Sequence, residues 1–409
     1  MNKSWLGVFF IMMVGCKEQT QTAISMKDDV KFLASDSLKG RETGTAGEIA
    51  AAEYIASRFE QIGLSKKGQQ NSYFQTFSFK PKSDPHQQIT FTNDQGDQMI
   101  TGTNVIGFLN NEAKHTVVIG AHYDHLGMGG EGSLHREGEA IHNGADDNAS
   151  GVAIMLALAD TLQQAKNLQN NYLFIAFSGE EMGLLGSNYF TKNATLPLDG
   201  INYMINMDMV GRLNEERALA VHGVGTSPVF SQSLFSSNED FKLVEHESGV
   251  GPSDHTSFYL NDIPVLHFFT GQHADYHRPG DDAEKLNYTG MKDIKDFIYT
   301  LMLDLDDNGE LAFRKTKDES EEVPRFKVAL GVVPDYLFDR KGMRIDGVSE
   351  NKPAQKAELK KGDVVIQLGA QKVTDMMSYM KALSAFEEKD TTTVTVKRKD
   401  TILKRKITF

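Results

Sequence analysis

The chain is poor in cysteine and tryptophan. Cys16 and Trp5 are the sole examples among 409 residues. A single cysteine excludes an intrachain disulfide and any zinc site built on thiolates. Positive charge is also short, with 43 Lys and Arg against 56 Asp and Glu, a net charge of −13. That balance argues against general nucleic-acid binding, which needs a basic footprint to displace counterions. Beyond Val14 no apolar segment approaches the ~20 residues of a membrane span. What remains is globular in composition, 40% hydrophobic and 24% charged. The length suggests two or three domains.

The start reads Met1-Asn2-Lys3-Ser4, then an apolar run from Trp5 to Val14, then Gly15-Cys16. A positive n-region, a short apolar stretch and a small residue make an export signal. The Val14-Gly15-Cys16 ending resembles a bacterial lipobox, with Met13 a less usual residue three before the cysteine. That implies cleavage before Cys16 and lipidation of its thiol. An ordinary secretory signal is the other reading. Either way the chain is expected to be exported, with residues 1–15 a signal, 16–26 a tether, and membrane contact through a lipid anchor only.

Residues 27–64 look helical, closed by Gly63, because apolar positions between Glu48 and Phe59 recur at three and four. Residues 73–109 alternate as strands do. Thr116–Ala121, Tyr172–Phe177, Ile201–Met207 and Pro264–Phe269 are continuous apolar runs, as for strands buried on both faces. Gly151–Leu162 and Met291–Leu305 read as helices between and after them. The expectation is an α/β domain over 27–310, with a mainly parallel central sheet covered by helices on both faces. Residues 311–324 are charged and read as a linker. Residues 325–409 carry 18 Lys and Arg against 11 Asp and Glu, net +7, leaving −20 on the remainder. Such asymmetry supports a separate second domain.

The ends of the predicted strands hold the chemistry. His122-Tyr123-Asp124-His125 follows the first apolar run, and Asn143-Gly144-Ala145-Asp146-Asp147-Asn148 opens a helix. Ser178-Gly179-Glu180-Glu181, Asp208 and Tyr276-His277 follow the others. Ligands of open α/β sheets bind outside the carboxyl ends of strands. Imidazoles and carboxylates without thiolate suit zinc. Glu180-Glu181 could instead be a charged helix start, and Asp146-Asp147 a helix cap. Capping, however, does not explain why every strand end carries a potential ligand.

The stretches Asn143–Gly151 and Ser178–Ser187, with the entry Leu38-Lys39-Gly40-Arg41-Glu42-Thr43-Gly44-Thr45, resemble the di-zinc aminopeptidases of metallopeptidase family twenty-eight. The resemblance covers about residues 27–307. It implies two zinc ions per chain. Asp147 would bridge them, His122 and Asp208 would complete one site, and Glu181 and His277 the other. Glu180 would be the general base that takes a proton from water and passes it to the leaving amine. Asp124, two residues past His122, would fix its imidazole. The resemblance also implies a cis Asp147–Asn148 bond and a supporting role for Ser253-Asp254-His255. His125, His142 and His273 are expected as rim or loop histidines. The chain departs from some members at Val250, where a tyrosine would steady the tetrahedral intermediate; Tyr276 or His273 is left for that task, or the second zinc does more of it.

Residues 325–409 resemble a circularly permuted bacterial PDZ domain. Ala329-Leu330-Gly331-Val332 looks like its carboxylate-binding loop, Pro353–Val365 is a specific run, and Met377–Ala385 would be the groove helix. PDZ domains take up an extended peptide beside a sheet edge and hold its terminal carboxylate. A small β-rich domain with an unused groove is the other reading. Taken together, the sequence points to an exported zinc exopeptidase acting on peptide N-termini, with peptides as substrates and a C-terminal peptide as PDZ ligand. Glutaminyl cyclase, glutamate carboxypeptidase and a non-catalytic scaffold are the alternatives; all six site positions being present argues against the last.

Overall fold

The computed structural model describes residues 25–81, 91, 99–130, 132–135, 137–316, 328–335, 338, 340–348 and 352–409. The export signal, most of the tether and the second half of the linker lie outside these residues.

Nine strands form the first sheet: β1 (Ser65–Lys66), β2 (Phe74–Phe79), β3 (Ile100–Leu109), β4 (His115–His122), β5 (Asn170–Phe177), β6 (Ile201–Met207), β7 (Ala218–His222), β8 (Lys242–His246) and β9 (Val265–Phe269). Their order is β1-β3-β5-β4-β6-β9-β7-β8, with β2 also on β3. The central run β5-β4-β6-β9 is parallel. β3 joins it antiparallel at one side, and β7 at the other.

Alternate residues of the central strands go to opposite faces, as the pleat requires. Val117, Ile119, Tyr172, Phe174, Tyr203 and Ile205 share one core with α2 (Ala46–Ile62), α3 (Gly151–Gln164) and α7 (Tyr288–Asp306). Val118, Leu173, Ile175 and Met204 share the other with Phe190 of α4 (Leu185–Lys192) and Phe258 of α6 (His255–Tyr259). Both faces are therefore covered, which is why these strands carry no polar alternation. At α2, Thr45 accepts the Glu48 amide, and Gly63 closes the helix at φ 90°.

The linker segment starts on this body. The Leu311 amide donates to Asn202 Oδ1 (2.7 Å), that of Arg314 to Thr226 O (2.7 Å) and that of Thr316 to Tyr259 Oη (3.1 Å). Phe313 packs on the Tyr259 ring. Alternate apolar side chains let a charged segment lie down.

The C-terminal sheet runs β10 (Val332–Pro334), β11 (Met343–Val348), β12 (Val364–Leu368), β14 (Thr391–Arg398) and β15 (Thr401–Thr408), with β13 (Gln371–Lys372) on β12. It has its own core, including Ile345, Val365, Leu368, Ala382 and Val394. Asp363 accepts from Arg398 through both oxygens, at 2.6 and 2.7 Å. That ion pair holds the Asp363 carboxyl below its usual range against the opposing effect of burial.

One fully buried side chain ties the metal-side loops to the fold. Arg41 donates to Leu33 O (2.6 Å), Tyr123 O (2.7 Å), Asn143 O (2.5 Å) and Gly144 O (3.0 Å). Burial lowers its pKa to about 10, while Asp147, Asp124, Asp281 and Glu181 work to keep it charged. Arg41→Met strands four carbonyls at once. It is expected to cost at least ~3 kcal/mol by denaturant unfolding. A loss under ~1 kcal/mol, the range of ordinary surface changes, contradicts the clamp.

Candidate metal centre

The functional side chains stand where central strands end. His122 closes β4, and Asp208 follows β6 directly. Glu180 and Glu181 lie three and four residues past β5, before α4. Asp147 sits in the wide turn Ala145–Ser150 before α3, and its bond to Asn148 is cis. His277 comes from the loop after β9.

The turn around Asp147 is strapped from several directions. Asp281 accepts the amides of Asp146 (2.8 Å) and Asp147 (3.0 Å) through one oxygen. Asn148 donates to Met207 O (2.9 Å) and accepts from Gly151 and Met209. Asp146 takes the Gly211 amide at 2.6 Å. Gly144 must be glycine here: it has φ 55°, and a Cβ would lie 2.1 Å from Asp147 O and 2.6 Å from the His125 ring.

Each imidazole has one nitrogen engaged and one turned to the carboxylates. His122 Nδ1 donates to Asp124 O (3.2 Å), leaving Nε2 at 3.3 Å from Asp208 and 3.4 Å from Asp147. His277 Nδ1 donates to Gly132 O (2.9 Å), leaving Nε2 at 3.2 Å from Asp147 and 3.4 Å from Glu181. Fixing one tautomer in this way leaves the other nitrogen a lone pair for a cation. The Asp124 carboxylate stands 3.7 Å from His122 Nδ1. It accepts the Glu180 amide at 3.1 Å and the Glu181 amide at 3.4 Å, so it sets the loop carrying both glutamates as well as lying beside the imidazole. Thr43 also donates to it, from the entry segment.

Two groups of three possible ligands have donor atoms within 4.8 Å of one another: His122, Asp147 and Asp208, and His125, Asp147 and Glu181. They share Asp147. His125 is the surprise. It is buried, not at the rim, and its Nδ1 lies 2.7 Å from Glu181 Oε1, while His277 faces Oε2. His273 is elsewhere, 3.2 Å from Asp146. His142 bonds Ser133 and Ala140.

Electrostatics in this pocket follow from crowding acids away from water. Burial pushes Glu180 well up, and Asp208, Glu181 and Asp254 add to it, with His122 opposing. Burial would raise Asp147 too, but His125, His122 and His277 hold it well below the carboxylate range. Burial opposes protonation of His277, yet Glu181 and Asp147 raise it to about 9. Among the described residues no Lys or Arg is paired with Asp147, Glu180, Glu181 or Asp208. An acidic, imidazole-rich donor set of this kind fits divalent cations, zinc above all.

Arg41, Asp281 and His125 are the residues here to which sequence reasoning gave no such part. The first two were visible only as members of motifs. Their partners are main-chain groups and a distant strand end, which spacing does not reveal. Val250 is buried in the second core, with Phe258 and Tyr259. Tyr276 lines the cavity beside the carboxylates and stacks on His277 at 3.8 Å.

Comparison with known proteins places these features. Residues 104–302 match the model of peptidase family M28, and residues 312–408 that of the PDZ domain. A probable leucine aminopeptidase of Arthroderma otae is 29% identical over 223 residues, 51% of this chain and 57% of that protein. Aminopeptidase YwaD of Bacillus subtilis is 29% identical over 48% of this chain and 43% of its own. The chain thus spans about half the length of the curated relatives it matches. Among solved structures, a zinc aminopeptidase from Bacillus subtilis superposes at TM-score 0.54 and 18% identity, over 72% of this chain and 96% of that one. A glutaminyl cyclase of Porphyromonas gingivalis also gives 0.54 and 18%, over 69% and 97%. Likenesses this distant establish the fold.

Glu181→Ala is expected to lower metal content, read by elemental analysis of the purified protein after dialysis. Retention of the wild-type content at wild-type affinity removes Glu181 from the ligand set.

Proposed function

Because residues 104–302 match the model of peptidase family M28 and residues 312–408 that of the PDZ domain, we propose that the chain is a zinc aminopeptidase that removes N-terminal residues from peptides. The observation that carries this reading is Asp147 lying between His122 and Asp208 on one side and Glu181 and His277 on the other, with Glu180 beside them. His122, Asp147 and Asp208 would hold one zinc ion, and Asp147, Glu181 and His277 the other. Bound there, the ions would supply Lewis acidity toward the scissile carbonyl and toward water.

The chain's own residues do the rest. Glu180 shares its loop with Glu181 but is turned differently: its Oε2 stands 4.0 Å from His122 Nε2, whereas Glu181 faces His125 and His277. From there it takes a proton from the attacking water and delivers it to the departing amine. Asp124 keeps both glutamates in place through their amides. Tyr276, at the cavity wall, steadies the oxygen that becomes negative, while His273 is committed to Asp146. The glutaminyl cyclase alternative, which uses one zinc, leaves the His122 side of the site without a purpose. The chain is exported and lipid-anchored through Cys16, on the same reading of its first sixteen residues. Its basic PDZ domain takes acidic or free peptide termini.

Glu180→Gln is expected to keep bound zinc and lose turnover of aminoacyl peptides by roughly 10²–10⁴-fold, the usual worth of a general base. Full zinc with an unchanged rate rejects Glu180 as the base. Blocked-terminus peptides should be inert in the same assay; their cleavage rejects the N-terminal reading. Cys16→Ser should move the protein from the membrane fraction to the soluble one, and a membrane-bound variant rejects the anchor.

A further inference from the structure

Beside the carboxylates lies a cavity of about 360 Å³, within the range of small-ligand sites. Its wall away from the acids includes Met209, Gly251, His267, Phe269 and Gln272. His267 is the residue that a purely apolar side-chain pocket would not contain. It stands on β9 between two neighbours of the same sheet, and it is 2% exposed. Asn206 Nδ2 donates to its Nδ1 at 3.1 Å and to Ser253 Oγ at 2.9 Å. An amide nitrogen only donates, so His267 Nδ1 accepts and its proton is on Nε2. Among the described residues no group bonds Nε2, and it is not among the sealed, unpaired buried nitrogens. It is therefore the edge of the ring that reaches the cavity.

The ring cannot turn away. His255 lies flat against it, centroids 4.5 Å apart and planes 3° from parallel. His222 flanks it at 5.4 Å and stacks in turn on His246. His255 is itself locked under Gly251, where a Cβ would come 2.6 Å from its Nε2. Burial, with the neighbouring imidazoles, keeps His267 and His222 neutral, and burial alone takes His255 down to about 3. The wall thus offers an uncharged N–H donor and no cation.

We propose that this cavity receives the substrate's N-terminal side chain, and that His267 Nε2–H selects uncharged side chains ending in a carbonyl acceptor, those of Gln and Asn, with methylenes packed on Met209 and Phe269. This rests on the aminopeptidase reading above. A site built to donate a hydrogen bond discriminates strongly against an isostere that cannot accept it, because the donor is left dry and unpaired.

The test uses isosteric pairs on the full, zinc-loaded chain: Gln against Met and Asn against Leu as N-terminal residues of otherwise identical dipeptides. The expected result is a kcat/KM at least tenfold higher for Gln than for Met and for Asn than for Leu. His267→Met should bring both ratios to one or below, with zinc content unchanged. Wild-type preference for Met and Leu overturns the proposal, and so does a His267→Met protein that retains zinc and the original ratios. The wild-type ratios need no variant, so misfolding of His267→Met leaves the test intact. If no dipeptide is cleaved, the aminopeptidase reading fails. The pocket is then read by calorimetry with free glutamine and methionine on the zinc-loaded protein, where glutamine should bind at least tenfold tighter. Equal binding overturns the pocket as well.

Discussion

Four carboxylates, Asp147, Glu180, Glu181 and Asp208, are crowded into one largely dry corner of the protein without a paired lysine or arginine, and much of the surrounding structure answers that constraint. Like charges at this spacing cannot all ionise in the absence of a cation. The imidazoles His122, His125 and His277 offset part of the repulsion, most directly around Asp147. The rest of the arrangement keeps the acids from swinging apart. Asp281 and Asp124 spend their oxygens on main-chain amides beside the site residues. Arg41 reaches the same loops through carbonyls, and its charge interacts with Asp147, Asp124, Asp281 and Glu181. A site held this firmly against its own repulsion is preorganised for divalent cations, and the protein needs no large rearrangement to receive them.

Much of this was legible in the sequence. The four central strands were readable because burial on both faces makes them uninterrupted apolar runs, and the strand ends then marked the edge where chemistry gathers. β7 and β8 went unread. They are five residues each, and β8 reads Lys-Leu-Val-Glu-His, with two adjacent apolar residues and no alternation, too short a signal to stand out from a loop. His125 was misplaced for a different reason. It lies three residues past His122 and one past Asp124, beyond the end of β4, where no strand periodicity says which way a side chain faces. Clamps such as Arg41 are invisible in principle from spacing, since their partners are backbone carbonyls brought in by tertiary folding.

The fold itself does not choose the reaction. A zinc aminopeptidase and a glutaminyl cyclase resemble this chain equally by superposition, at the same score and the same identity. A shared scaffold with divergent chemistry is the general rule. The proposed reaction rests instead on side chains: the carboxylates and imidazoles around Asp147, and His122 with its Nδ1 spent on a carbonyl so that Nε2 faces Asp208.

Val250 shows how a single departure redistributes tasks within such a site. In this chain that position is apolar and packs with Phe258 and Tyr259 in the second core, so nothing polar can reach the cavity from it. Tyr276 stacks on His277 and its loop is anchored by the bond from Leu134 to His277 O, so on the proposed reading one segment would supply both a ligand and the group that steadies the intermediate. The space next to Val250 is then free for Gly251, and Gly251 is what lets His255 sit beneath the cavity wall and hold His267 flat. Catalytic support and side-chain recognition are therefore divided between two loops, after β9 and before α6, and a change at one position in the second of them bears on both.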